Sequence, residues 1–389
     1  ACVQDPQRMA SDLPPCPSEG EASNSAASAP TASPRARWGR RGAAGWPALC
    51  WLAAWTATGV YRAMLWETLA VHAGPAASGT CFVVVLGYWG CLACAALASG
   101  FRLCAPPFRA WRWPRAAQLG MAFLIMNDLL GSSVNYFAHR HAGPLLYSVF
   151  HSSTVFFVAL IAVFWLHARV TAVQWLGVVL VGSGVLATSL PAPLEAQGSF
   201  AIGLAAALLA NVFHAVQYPI VQRILEACPE GVQQPAAVAV TFWEALFGTA
   251  LSTTWTFIYT VPHWTEEVYQ PILDSPSPSV AWAWYAYVAY AVVEGVHGLA
   301  FYKSVQLLGA VPVAVSKGLQ QAGAAVAIHI GFCGVDRTQC LDYSHGDATT
   351  WDEWQKLVAS ALSVVGVVVY ALGRAREPER CKGVREDEE

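Results

Sequence analysis

Charge is what this chain has least of. Asp, Glu, Lys and Arg make up 12% of its 389 residues, about half the usual share of a globular protein. A soluble chain of this length would need far more charge to cover its surface. Catalytic signatures are missing as well: there is no HExxH, no P-loop Gly-Lys-Ser/Thr and no Asp-rich cluster. Gly182-Ser-Gly184 lacks the nucleophile-elbow pattern and falls inside an apolar run. No metal and no cofactor is therefore expected. A net charge of −3 leaves no basic footprint for nucleic acid. Residues 1–44, rich in Ser, Ala, Pro and Arg, hold no signal-peptide core, and Asp5, Asp12, Glu19 and Glu21 argue against a transit peptide. A disordered arm is expected there.

What the chain has instead is apolar length. Hydrophobic residues make up 56%, with seventeen Trp and thirteen Tyr, rings that concentrate at the headgroup level of bilayers. Apolar runs recur near 46–66, 80–100, 116–138, 144–167, 172–190, 199–224, 236–260, 281–304, 308–332 and 354–373. Each has the roughly 20-residue length that crosses about 30 Å of hydrocarbon. Breakers fall between them at Pro106, Pro107, Pro114, Pro191, Pro193, Pro271, Pro276 and Pro278. The eleven Cys form no framework. Cys91 and Cys94 sit in an apolar run and read as buried thiols. Cys333 and Cys340 flank a polar loop, and a bridge there would require an oxidising lumen.

Lys and Arg test this assignment independently. Sixteen fall on one side of the alternating spans: Arg35, Arg37, Arg40, Arg41, Arg102, Arg109, Arg112, Arg115, Arg169, Arg223, Lys303, Arg374, Arg376, Arg380, Lys382 and Arg385. Only Arg140, Arg337 and Lys356 fall on the other. The positive-inside rule then places both termini in the cytoplasm, with 262–279 and 333–352 as loops on the far side. Arg62, inside the first span, fits this pattern least well.

Six ionisable residues are stranded within the apolar runs: Asp128, His151, His214, Glu244, Glu294 and Lys317. Each would cost about 2.5–3.5 kcal/mol at a membrane-helix centre unless it met a partner or water. Helical spacing sorts their polar neighbours into faces. Asp128 aligns with Ser132 and Asn135, and His151 with Ser148 and Ser152. Asn211 and His214 align with Gln217 and Tyr218, Glu294 with His297, and Lys317 with Gln320 and Gln321. Turning all these faces toward one cavity is the cheapest arrangement. Ser132, Asn135, Ser148 and Ser152 also read as packing glue between helices. His139, His141 and His167, at span ends, read as loop residues.

The two halves echo each other. Gln174-Trp-Leu-Gly-Val-Val-Leu-Val-Gly-Ser-Gly184-Val closes the first, and Lys356-Leu-Val-Ala-Ser-Ala-Leu-Ser-Val-Val-Gly366-Val closes the second. Ala142-Gly-Pro opens the fourth span, and Gly309-Ala-Val-Pro opens the ninth. The expected fold class is therefore all-α integral membrane, with about ten transmembrane helices as two inverted five-helix repeats. The expected organisation is an arm over 1–44, repeats over 45–190 and 191–373, and a charged tail over 374–389.

Over about 45–374, Gln174-Trp175-Leu176-Gly177 leading to Gly184-Val185 resembles the drug/metabolite transporter superfamily. Asp128-Leu-Leu-Gly131-Ser-Ser-Val-Asn-Tyr136, Gln217 and Glu244-Ala-Leu-Phe-Gly248 are similar to its solute-carrier-35 branch, related to the chloroquine-resistance-transporter-like proteins. His151 and Lys317 depart from that branch, where Arg and an acid are usual, and so does the long 333–352 loop. The resemblance implies transport of a metabolite, nucleotide sugar, amino acid, peptide or drug, and favours an endomembrane such as Golgi, vacuole or lysosome over a plastid or plasma membrane.

The expectation is a transporter in a lipid bilayer, not an enzyme, moving a small organic solute by alternating access through proton coupling or exchange. A homodimer is left open. Its substrate-binding residues are expected to be Asp128, Asn135, His151, Asn211, His214, Gln217, Glu244, Glu294, His297, Lys317, Gln320 and Gln321. Lys317, with His151 and Arg62 near it in type, would attract an anionic group, and Asp128, Glu244 and Glu294 would neutralise it in the empty site or carry protons. The alternative is an integral-membrane enzyme working through buried Asp128, His151 and Glu244, which would have no use for two equivalent halves.

Overall fold

The computed structural model describes residues 45–72, 78–102, 110, 113–142, 151, 154–189, 198–227, 237–275, 279–332 and 350–375. The expected arm at 1–44, the Cys333–Cys340 bridge, the 333–349 part of the polar loop, Ser148, Ser152 and the tail beyond 375 lie outside these residues.

Ten long helices carry the described residues: α1 Trp46–His72, α2 Phe82–Ala98, α3 Arg115–Ala142, α4 Thr154–Trp165, α5 Ala172–Ser189, α6 Gly198–Glu226, α7 Ala237–Trp255, α8 Val280–Leu308, α9 Ala310–Phe332 and α10 Thr350–Ala375. No strand occurs among the described residues. The fold is all-α, and each helix overlaps one expected apolar run.

Local chemistry sets several boundaries. Thr171 Oγ1 accepts from the Gln174 N–H at 3.3 Å, and Gln174 Oε1 accepts from the Thr171 N–H at 2.7 Å. This reciprocal capping box starts α5 and gives Gln174 of the Gln-Trp-Leu-Gly motif a structural job. Thr171→Ala is expected to lower stability by about 1 kcal/mol, read as a small drop in the midpoint of unfolding. Ser279 Oγ caps α8 by accepting from the Trp282 N–H, and Gly309 ends it with φ of 87°. In α6, Pro219 removes the N–H that would meet the Ala215 carbonyl and breaks the ladder just after Gln217 and Tyr218.

One expected loop is helical. After α7 the chain continues through π-helical Thr256–Thr260 and Thr265–Tyr269 into a single α-turn, Gln270–Leu273. Pro271 falls in the first turn of that helix, where its missing N–H costs nothing. A proline was therefore no barrier here, and the loop expected from 262 begins only near 274.

Most helix pairs survive exchange of α1–α5 with α6–α10, the exceptions being α6–α8, α6–α9 and α8–α9. Under it α3–α6 becomes α8–α1, α4–α6 becomes α9–α1, α2–α8 becomes α7–α3, α4–α5 becomes α9–α10, and α2–α3 becomes α7–α8. The pairs α5–α10, α2–α7 and α4–α9 map onto themselves. At the α5–α10 crossing a Cβ on Gly177 would lie 2.6 Å from the Gly366 carbonyl oxygen, and one on Gly366 would lie 2.6 Å from that of Gly177. Small residues let these backbones touch.

Two of the apolar clusters in the bundle lie at different heights. One joins Trp55, Leu124, Ile220, Phe301 and Val313; the other joins Leu65, Leu69, Phe82, Tyr136 and Tyr287. Along α1, α3 and α8, the first cluster, then charged residues, then the second follow in order or in reverse. The charges thus lie at mid-height. Arg102, Arg115, Arg169, Arg223 and Lys303 belong to the chain ends nearest the first cluster, and Glu266, Glu267 and Asp274 to those nearest the second.

No described helix is long and apolar enough to cross a membrane. The outward faces are nonetheless strongly apolar. Leu119, Phe123, Met126 and Leu130 make an exposed stripe on α3, and Tyr285, Val288, Val292 and Val296 make one on α8. Phe247, Leu251 and Trp255 do so on α7, and Val365, Val368 and Leu372 on α10.

Candidate functional site

A cavity of about 140 Å³ opens between the two clusters. Asp128, Asn135, His151, His214, Gln217, Glu244, Glu294, His297 and Lys317 line it together with Trp55, Arg62, Tyr88, Cys91, Tyr218 and Tyr302. Nine of the twelve expected site residues therefore share one cavity. Asn211 is wholly buried behind it, within 2.6 Å of His151 Nδ1 through its Oδ1. Gln320 is displaced: a Cβ on Gly59 would lie 1.6 Å from its Nε2, so its amide covers the notch that Gly59 leaves in α1. Gln321 is buried but not on the cavity wall. Three polar positions on α9 were expected on one face, yet the face in the cavity is only as wide as Lys317.

Each carboxylate has a specific partner. Arg62 Nη1 donates to Glu294 Oε1 at 2.9 Å and to Oε2 at 3.1 Å. Asp128 accepts from the Tyr88 hydroxyl at 2.7 Å and from Gln217 Nε2 at 3.2 Å. Glu244 accepts from the Tyr302 hydroxyl. His297 Nδ1 lies 3.1 Å from both the Trp55 carbonyl and Thr58 Oγ1. A carbonyl only accepts, so Nδ1 carries the hydrogen. The His297 ring stacks on Trp55 with centroids 5.7 Å apart.

Lys317 stands apart. It is 5% exposed, and its Nζ lies 5.6 Å from the centroid of the Trp55 ring, a cation–π contact. No carboxylate lies within ion-pair distance of it among the described residues. Asp128, Glu244 and Glu294, expected to neutralise it or to carry protons, form no ion pair with it, and Glu294 is held by Arg62. His151 and His214 meet edge to face with centroids 4.9 Å apart, and His214 Nε2 is buried without a hydrogen-bond partner.

The exchange that maps the helices also maps the site. The α1–α8 pair Arg62–Glu294 falls on the α6–α3 pair Gln217–Asp128. Asp128 and Glu294 are 166 positions apart, and so are His151 and Lys317. Each half thus supplies an acid and a base at matching positions. They differ in that the donor opposite the acid is a cation in one half and an amide in the other.

Sequence reasoning passed over three contributors and left a fourth without a place. Arg62 was named beside Lys317 as a cation that would attract an anion, but it fitted the charge pattern least well and its spacing gave no hint of Glu294. Tyr88, Tyr302 and Trp55 were counted among interfacial aromatics. For Tyr88 the available signal was its position inside an apolar run, whereas Tyr302, two residues from the end of its run, gave none.

No family model matches the chain, and no curated protein does. Among solved structures, 28 chains match. One, titled only "Crystal structure of protein", is 18% identical, covers 83% of this chain and 98% of its own, and superposes with a TM-score of 0.53. That likeness concerns the fold alone.

Proposed function

We propose that this protein is a ten-span membrane transporter that moves a small organic solute by alternating access. The observation that carries the reading is a mid-height cavity holding three carboxylates, an arginine and a lysine inside a bundle whose outer surface is apolar. Large exposed apolar patches mark contact with lipid or protein.

Two further features support it. Arg102, Arg115, Arg169, Arg223 and Lys303 gather at the ends next to one cluster, the asymmetry that the positive-inside rule describes. The pairing pattern repeats after five helices, and an odd number of spans inverts the second half. Inverted repeats place a solute site near the midplane where they meet. Membership of the drug/metabolite transporter superfamily and an endomembrane location belong to the same proposal and rest on the motifs already quoted.

In this reading one half rocks against the other and exposes the cavity to each side in turn. Arg62–Glu294 and Gln217–Asp128 join α1 to α8 and α6 to α3, so both bonds hold first-half helices to second-half ones.

The test is uptake into proteoliposomes of the purified full chain. Saturable uptake of at least one solute from a charge-varied panel is expected, together with protection by that solute of Cys91, which lines the cavity with its Sγ 3.6 Å from the Glu294 carbonyl. Cys91→Ser would identify the protected thiol. Uptake no faster than in protein-free vesicles for every solute would overturn the proposal.

A further inference from the structure

We propose that the solute is a small organic anion that enters together with one proton, its anionic head on Lys317 and the proton on Asp128. This rests on the transporter reading and names the substrate class and coupling of the same cavity.

The anion follows from Lys317. A buried ammonium with only an aromatic face beside it has poorly replaced its water, and charged groups in such places need a partner. The acids at the cavity are better provided for: Glu294 has Arg62, Asp128 has Tyr88 and Gln217, and Glu244 has Tyr302 on one oxygen, its Oε1 being buried without a hydrogen bond. The unpartnered Nε2 of His214 offers the anion a second contact on the same cavity. Trp55, Tyr218 and Phe301, clustered next to them, give it an apolar wall. Size narrows the class further. The cavity, about 140 Å³, is close to the roughly 150 Å³ engineered cavity that admits benzene. A carboxylate with a short aliphatic or single-ring body fits that space, and a nucleotide sugar does not.

The proton follows from charge balance. Three carboxylates face two cations in the cavity, so an anion arriving alone would add a fourth negative charge to a desolvated site. Proton binding at Asp128 removes one; the proton comes from the medium on the entry side and leaves with the solute, and no other bond changes. Asp128 is chosen because it is the counterpart of Glu294 with an amide, Gln217, where Glu294 has Arg62. The other ionisable groups facing it are Tyr88 and Cys91 from α2, His214 and Tyr218 from α6, and Glu244 from α7, with Arg62, Glu294 and Tyr302 across the cavity from α1 and α8. Of these only Arg62 is a fixed cation, and it is held by Glu294.

The experiment is proteoliposome uptake of benzoate and lactate against neutral benzamide and cationic benzylamine, with and without an inward proton gradient. Anions should be taken up and the gradient should accelerate them. Lys317→Met should lower anion uptake about tenfold or more, the scale of losing a hydrogen bond to a charged group, and Lys317→Arg should restore most of it. Asp128→Asn should abolish acceleration by the gradient and raise the ratio of anion exchange to net uptake. Glu266→Gln, outside the cavity, should keep the acceleration. Size-exclusion profiles matching wild type would certify the variants, and Asp128→Glu should rescue the gradient response. Uptake of benzylamine or benzamide in preference to the anions overturns the inference while leaving the transporter reading intact. Gradient response lost in Glu244→Gln but kept in Asp128→Asn overturns the assignment to Asp128. Absence of uptake for these four with uptake of another solute of the wider panel overturns the inference alone, and absence for every solute of that panel defeats the transporter reading itself.

Discussion

Arg62→Met is expected to destabilise the protein more than any other single change at the cavity. Its guanidinium holds both oxygens of Glu294, at 2.9 and 3.1 Å, and both side chains are about four-fifths buried, with 22% and 20% exposed. Removing one partner of a buried ion pair costs about 3–5 kcal/mol, because the survivor is left charged and desolvated. The residual exposure here opens into the cavity, so the lower end of that range is expected. Glu294→Met strands the opposite charge and should cost a similar amount. The double variant should recover most of the loss, since a well-packed apolar pair is often as stable as a buried ion pair. Thermal unfolding of the detergent-solubilised single and double variants measures this directly. If the double variant melts as low as the singles, the pair contributes shape and not charge compensation.

The ten helices were legible in the sequence because length and apolarity alone delimit them. Their faces were largely legible too, since 3.6-residue periodicity placed Asp128, His151, His214, Glu244, Glu294 and Lys317 on inward stripes, and all six line one cavity. Which groups would touch was not legible. Lys317 was expected to meet an acid, but pairing depends on helix rotation and on rotamers that set Glu294 against Arg62 and Lys317 against Trp55. Arg62 was judged by its place in a charge-counting rule, which is silent about interior partners. Tyr88 and Tyr302 carry the same ambiguity, because a tyrosine is equally at home among headgroups and on a buried carboxylate. The stretch from 262 was read as a loop on its prolines, yet Pro271 occupies a helix's first turn, where a proline does no harm.

Gly90→Val is expected to have the largest effect of any glycine substitution. A Cβ at Gly90 would stand 1.8 Å from the Ala291 carbonyl oxygen and 2.6 Å from its carbon, and a Cβ at Gly295 would stand 2.3 Å from the Gly90 oxygen. These neighbours are backbone atoms of paired helices α2 and α8, so no side chain can rotate away. The helices themselves must separate. Overpacking of an interior costs about 1–3 kcal/mol where side chains can adjust, and more is expected where they cannot. The displacement would reach the cavity, because Tyr88 precedes Gly90 by two residues and Glu294 adjoins Gly295. Both the Tyr88–Asp128 and Arg62–Glu294 bonds would lengthen, and Cys91, the next residue along α2, would gain access to maleimide. Gly182→Ala is the matched control: nothing lies within 4 Å of a Cβ there, and replacing a helical Gly by Ala gains up to about 1 kcal/mol in helix propensity. Gly90→Val should therefore lower the unfolding midpoint and speed Cys91 labelling, with Gly182→Ala unchanged or slightly more stable. Equal midpoints for the two variants would mean that α2 and α8 do not pack backbone to backbone at Gly90.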